Sequence, residues 1–307
     1  MTVPLPAPAG SAQRAVLVEA FAAGPLQGNG AAVVLLQHPA PVDWMQALAA
    51  SFRQSETAFL WRRPDGVWAL RWFTPSCEVP LCGHATLAAV LALGHWGLLA
   101  RGATLSLASR SGSLAVQLQA APAASASLVL PSGSLEDLTP PAYLAELCGG
   151  ELLGYWGSLL GYRVALLPPQ FPLAALASPA PLLQGQDRQG LVLMQAAGPA
   201  TPAWQGRPCD YQLRFFAPGL GIDEDPVTGS AHALVAPWWM RQIDRNSVIG
   251  WQCSPRHGGM LCEQDQAGHV RLTGSGHLLW DGLIHAGGAG HDDEAGWRVC
   301  QGGAVAG

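Results

Sequence analysis

Two segments of this chain read as copies of one another, and an internal duplication constrains the architecture more tightly than any local propensity. Arg71–Ala85 is RWFTPSCEVPLCGHA and Arg214–Ala231 is RFFAPGLGIDEDPVTGSA. Both run Arg-aromatic-Phe-small-Pro, then after a variable stretch Pro-x-Cys/Thr-Gly-x-Ala. The segments immediately after the copies, TLAAVLALGHWGLL and HALVAPWWMRQI, are apolar nearly all round, the pattern of a helix enclosed by protein. Each half is therefore expected to wrap strands around one central helix, an α+β arrangement. Further downstream, ATLSLASRSGSLAVQLQ and HVRLTGSGHLLWDGLI each read as two short strands joined at a Ser-Gly or Gly-Ser turn.

The Ala/Ser/Pro-rich stretch 120–141 reads as a crossover between the halves, with the boundary placed near Ala126. This gives domains at 14–126 and 127–286, flanked by Gly/Ala-rich tails at 1–13 and 287–307 that are expected to be ragged. Pro168–Leu183 is expected to form an irregular connection containing a short helix. An amphipathic stretch over Asp43–Phe52 precedes a strand expected at Glu56–Arg62.

Composition removes several classes of chemistry. All 16 basic side chains are arginines, and the chain contains no lysine. A Schiff base on lysine or a Walker-type phosphate loop therefore has no amine to use. A net charge of -5 without a basic cluster offers no counterpart to nucleic acid or an anionic membrane surface. The 7 cysteines (77, 82, 148, 209, 253, 262 and 300) lack paired C-x2-C spacing, so they read as reduced thiols of a cytoplasmic protein rather than a zinc or redox centre. The N-terminus does not read as a signal peptide, and the longest apolar run, 85–100, reads as a buried helix rather than a membrane span.

The duplicated motif is where chemistry is expected. In each copy a Pro and a Gly flank the start of a buried helix, where backbone N–H groups and the positive end of the dipole project together. Cys82-Gly83-His84 and Thr228-Gly229-Ser230 could thus hold a substrate carboxylate. The alternative is that Gly83 and Gly229 only permit tight helix packing. Asp225, just ahead of the second helix, is either a cap or a site group, and Glu224 could cap likewise. His84, beside the dipole, is expected to have a lowered proton affinity and to act as a neutral hydrogen-bond partner. Glu56 stands at a strand entrance, and Asn29 in a Gly-rich turn reads either as a left-handed turn residue or as a site residue.

Taken together, FAAGPLQGNGAAVV, SETAF, RWFTPSCEVPLCGHAT and EDPVTGSAHALVAPWW resemble the successive motifs of the PhzF-like phenazine-biosynthesis isomerase family. WQCSPRHGGML is loosely similar to that family's Gln-Gly region with its following arginine, although Cys253 stands where glycine is usual and GNG replaces the common Gly-Asn-Pro at Asn29. The resemblance implies a fold like diaminopimelate epimerase: two similar domains, each a curved sheet or barrel around a central helix, with the active site between them. It implies that Glu56 transfers the proton and that Asn29, Gly83, His84, Asp225, Gly229 and Ser230 bind a small carboxylated substrate, one that could be like a dihydro-hydroxyanthranilate. Neither metal nor cofactor is implied, and a homodimer is.

The related epimerases place a thiol at the start of each helix, whereas this chain has Cys82 and Thr228. A threonine hydroxyl is too weak an acid to replace a thiolate, so isomerisation by a single carboxylate is the expected chemistry. Glu56 should then sit in a partly dry pocket. The alternatives are a racemase or epimerase using Cys82 opposite Glu56, and a catalytically silent small-ligand-binding protein.

Overall fold

The structure is a computed structural model that describes residues 12–285 apart from 123 and 151. The expected tail at 287–307, and all but residues 12 and 13 of the one at 1–13, lie outside the described residues. Two compact units emerge. The first takes in the described residues up to Ala20, Gly30–Leu128 and those from Ser275 onward; the second takes in Phe21–Asn29 and Val129–Gly274.

Along the first stretch of chain lie β1 (Gln13–Ala20), β2 (Asn29–Leu35), α1 (Val42–Phe52), β3 (Glu56–Arg62), β4 (Trp68–Phe73), β5 (Glu78–Val79), α2 (Gly83–His95), β6 (Thr104–Ser109), β7 (Gly112–Leu118) and β8 (Ser125–Pro131). Then come β9 (Leu135–Asp137), α3 (Ala142–Leu147), β10 (Gly154–Ser158), β11 (Arg163–Leu166), β12 (Leu191–Ala196), β13 (Tyr211–Ala217), β14 (Ile222–Asp225), α4 (Gly229–Gln242), β15 (Ser247–Gln252), β16 (Gly258–Gln264) and β17 (His269–Ile284). Short 3-10 turns at Leu173–Ala175 and Ala180–Leu182 occupy the Pro-rich connection.

Strand pairing repeats with an offset of nine strands. In the first unit β2 runs parallel to β3, β3 antiparallel to β4, and β4 carries both antiparallel β5 and parallel β6, after which β6, β7 and β8 meander. In the second unit β11 runs parallel to β12, β12 antiparallel to β13, and β13 carries antiparallel β14 and parallel β15, with β15, β16 and β17 forming the meander. The outer pairings match too: β1 lies antiparallel to the end of β17, and β10 antiparallel to β9.

Each long helix forms the centre of its unit. α2 is Ala- and Leu-rich, good helix formers, and every residue from Gly83 to Leu93 is buried against β1, β3 and β7. It stops in a Schellman turn: Gly97, at φ 73°, donates to Gly94, and Leu98 N–H reaches the Leu93 carbonyl. α4 is similarly buried from Ala231 to Ala236 and packs on β15 and β16. Outside the sheet, α1 lays Met45 and Ala49 on Phe59, Trp61 and Phe73, adding a second apolar layer to the first unit. Among the described residues no helix is long and apolar enough to cross a membrane.

One expectation is overturned. The two short strands expected over His269–Ile284 are a single 16-residue strand, β17, with no turn at Gly274-Ser275-Gly276. Neither glycine has a positive φ. They are small because neighbours come close: a Cβ on Gly274 would lie 2.3 Å from the Phe21 ring, and one on Gly276 would lie 2.4 Å from Leu91 and 3.0 Å from the Glu19 carbonyl. Gly276→Ala is therefore expected to destabilise the protein by about 1–3 kcal/mol, as overpacking does. Chemical denaturation would show this as a lower midpoint, and an unchanged midpoint would contradict the packing role.

Candidate functional site

In the first unit, Glu56 is the opening residue of β3, held in register opposite Ala31 of β2 and only 3% exposed. Its Oε2 lies 3.1 Å from His84 Nε2, off the line of a hydrogen bond. His84 is the second residue of α2, and the same Nε2 lies 3.1 Å from Ser55 Oγ, whose hydroxyl donates to the Gly30 carbonyl. On the other side of the ring, Nδ1 lies 3.4 Å from Cys82 Sγ. Cys82 is the extended N-cap of the helix, and its side chain makes no cap hydrogen bond. The first ladder bond of the helix is Thr86 N–H to the Cys82 carbonyl, so the N–H groups of its first turn converge on this end.

The electrostatics differ from expectation. Burial pushes the Cys82 thiol up to about 11, with the Glu56 carboxylate acting in the same direction and His84 opposing it. Cys82 is accordingly a thiol near neutral pH. For His84, burial works against the charged form, but Cys82 and the Glu56 carboxylate outweigh it and raise the imidazole well above 6.5. The lowered proton affinity expected from the helix dipole is thus corrected: Cys82 and the Glu56 carboxylate 3.1 Å away shift it upward instead.

In the second unit, Asn29, Asp225, Thr228 and Gln252 form one buried network. Asn29 Nδ2 donates to Asp225 Oδ1 at 2.7 Å and to the Val227 carbonyl at 3.2 Å, while the Thr228 hydroxyl donates to Asp225 Oδ2. Gln252 accepts from Thr228 N–H at 2.8 Å and donates to the Asp225 carbonyl at 2.6 Å. Asn29 is not a left-handed turn residue; that conformation belongs to Gly28, and Asn29 starts β2 with its amide committed to this network. Asp225 bonds to the Thr228 hydroxyl, and no side chain caps α4. Gly229 and Ser230 are the first two residues of α4, and Ser230 Oγ lies 3.2 Å from Tyr162 Oη. Deeper in that helix, burial drops His232 to about 3, so it stays neutral beside the Tyr211 hydroxyl at 2.7 Å.

A matched device underlies both helix starts. Arg71 Nε and Nη2 bind the two oxygens of Glu78 at 2.7 and 2.8 Å, and Arg214 Nε and Nη2 bind those of Glu224 at 2.7 and 2.6 Å. Each guanidinium also stacks over the phenylalanine two residues on, Phe73 or Phe216. Glu224 is therefore a clamp partner and not a cap. In each copy the clamp ties the long strand to the short one that leads into the helix.

The first unit thus brings together Glu56, Gly83 and His84, and the second Asn29, Asp225, Gly229 and Ser230. Sequence reasoning missed Ser55, Tyr162 and the part played by Gln252. Ser55 stands beside Glu56 in the SET triplet, and Gln252 lies in the WQCSPRHGGML segment. Tyr162 carries no local signal. Among the described residues, Glu56, Cys82 and His84 are also the group whose donor atoms stand close enough to share a metal ion.

Residues 18–132 and 183–282 match the phenazine biosynthesis-like protein family, PhzC-PhzF. An uncharacterized isomerase of Pseudomonas aeruginosa is 35% identical over 274 residues, covering 85% of this chain and 96% of that protein. The crystal structure of a PhzF-family phenazine biosynthesis protein from Enterococcus faecalis is 30% identical with a TM-score of 0.77, covering 89% of this chain and 99% of that one. A hydroxyproline epimerase from Agrobacterium vitis, 13% identical with a TM-score of 0.58 over 97% of this chain and 98% of its own, shares the fold, which is of the diaminopimelate epimerase type. A family match across more than half the chain, a repeated strand order and helix starts of the CGHAT and EDPVTGSA kind agree: the chain belongs to the phenazine biosynthesis-like PhzC-PhzF family.

Proposed function

We propose that the chain is a cofactor-independent isomerase in which Glu56 removes a proton from one carbon of a small carboxylated substrate and returns it to another. The observation that carries this reading is the Glu56 carboxylate itself: buried, with Oε2 lacking a well-directed hydrogen bond, and set 3.1 Å from an imidazole at a helix N-terminus. A carboxylate of this kind is a suitable acid/base when its partner can hold the substrate. The first-turn N–H groups from Gly83 onward suit a substrate carboxylate, and His84, holding its proton, suits a neighbouring oxygen where charge develops. Asn29, Asp225, Gly229 and Ser230 are assigned substrate contacts in the same reading. A dihydro-hydroxyanthranilate-like acid is the substrate class that family membership suggests, and relatives named as isomerases support the reaction type.

Epimerisation by two thiols is disfavoured. Cys82 holds its proton up to about 11, and the second copy has the Thr228 hydroxyl, which already donates to Asp225. One carboxylate relaying a proton across a single face needs no second base.

In D2O, turnover of small unsaturated carboxylates, dihydro-hydroxyanthranilate-like acids included, is expected to place deuterium in the product. Glu56→Gln should slow this by about 10²–10⁴-fold, the usual share of a general acid/base, while circular dichroism shows the variant still folded. Wild-type exchange rates in that variant would overturn the assignment. The pH dependence has a definite sign. Because the folded value for His84 lies above the unfolded 6.5, the folded protein binds this proton more tightly. The stabilisation is complete below about 6.5, the ordinary histidine value, and is lost as pH rises through the raised folded value. His84→Gln should remove that alkaline loss from a plot of denaturation midpoint against pH. An NMR titration placing His84 below 6.5 would contradict it.

A further inference from the structure

We infer that Glu56, Cys82 and His84 form a binding site for a thiophilic divalent cation such as zinc or cadmium. The three donor atoms come from the start of β3 and the first residues of α2, all are buried, and all lie within 4.8 Å of one another. His84 Nε2 stands 3.1 Å from Glu56 Oε2 and 4.0 Å from Cys82 Sγ. Zinc bonds of about 2.0–2.3 Å in tetrahedral geometry place neighbouring ligand atoms roughly 3.3–3.6 Å apart. The Glu56–His84 spacing already fits, and the Cys82 sulfur, 4.0 Å from Nε2 and within 4.8 Å of the Glu56 oxygen, has to close in by up to roughly 1.2 Å, the scale of a side-chain rotation.

Charge favours the same outcome. A thiolate, a neutral imidazole and a carboxylate carry two negative charges, which a divalent cation cancels, so the occupied site is neutral in a buried setting. Binding displaces the Cys82 thiol proton and the His84 imidazolium proton to solvent, and no electrons move. The residues with the metal-free contacts are the ones that change partners. Occupation removes the Glu56 carboxylate from proton transfer, so the cation inhibits reversibly. That consequence rests on the proposed role of Glu56, whereas the binding itself does not.

The test uses the full chain. Crystals soaked in zinc are expected to show anomalous density among the three side chains; density elsewhere only, or none, overturns the site. In solution, cadmium titration should give one ion per chain with a thiolate-to-cadmium ultraviolet band. Cys82→Ser should abolish the band, and Glu56→Gln should weaken binding at least about tenfold. A band that persists in Cys82→Ser would assign the ion to another of the thiols and overturn the proposal. Because Cys82→Ser could disturb packing, protection of Cys82 from alkylation by zinc in the unaltered protein, read by peptide mass spectrometry, provides a second readout; unprotected Cys82 overturns the site. Zinc bound at the triad with isotope exchange undiminished would contradict the role given to Glu56 and leave the metal site standing.

Discussion

A helix buried along its length offers free backbone N–H groups only at its amino end. For α2 the carboxyl end is closed by the Gly97 turn, while the amino end begins on an N-cap whose side chain leaves the first-turn N–H groups without a cap bond. The same holds at the amino end of α4. This arrangement concentrates partial positive charge where the backbone, not a side chain, supplies the donors. Keeping it in place falls to the Arg71–Glu78 and Arg214–Glu224 clamps, which tie each helix approach to its neighbouring strand. Removing one partner from a buried pair of this kind costs about 3–5 kcal/mol, because the other charge is left alone.

The two copies share a frame and differ in chemistry. At the first helix start stand a thiol, an imidazole whose proton affinity is raised and a carboxylate whose Oε2 has no well-directed hydrogen bond. At the second, the thiol position is a threonine, and the acidic residue has both oxygens bonded, one by Asn29 and one by Thr228. A carboxylate satisfied in this way holds shape, whereas Glu56 is the one to which the proposed reaction gives proton transfer. One strand order thus carries two differently bonded helix starts.

The architecture was legible because it is written in repeated residues: the Arg-aromatic-Phe-small-Pro run, the helix starts and the all-apolar helices all survive as pattern. The strand at Glu56–Arg62 and the irregular connection after Pro168 come from ordinary periodicity and proline content. Pattern hides anything set by a distant neighbour. Gly274 and Gly276 resemble a turn until Phe21, Leu91 and the Glu19 backbone are seen pressed against them. His84 looks like a histidine weakened by a dipole until Glu56 is placed beside it. Glu224 resembles a cap until Arg214, ten residues earlier, reaches it across the strand pair. Gln252 and Tyr162 carry their roles only through folding, which brings them to a helix start from elsewhere in the chain.

In the proposed reaction one carboxylate carries the proton between two positions of one substrate molecule. Single turnover of a substrate deuterated at the donor carbon, in ordinary water, tests this most directly. Part of the label is expected to reappear at the acceptor carbon of the same molecule, and this transfer should disappear in Glu56→Gln. Label transfer that persists undiminished in Glu56→Gln would contradict the relay.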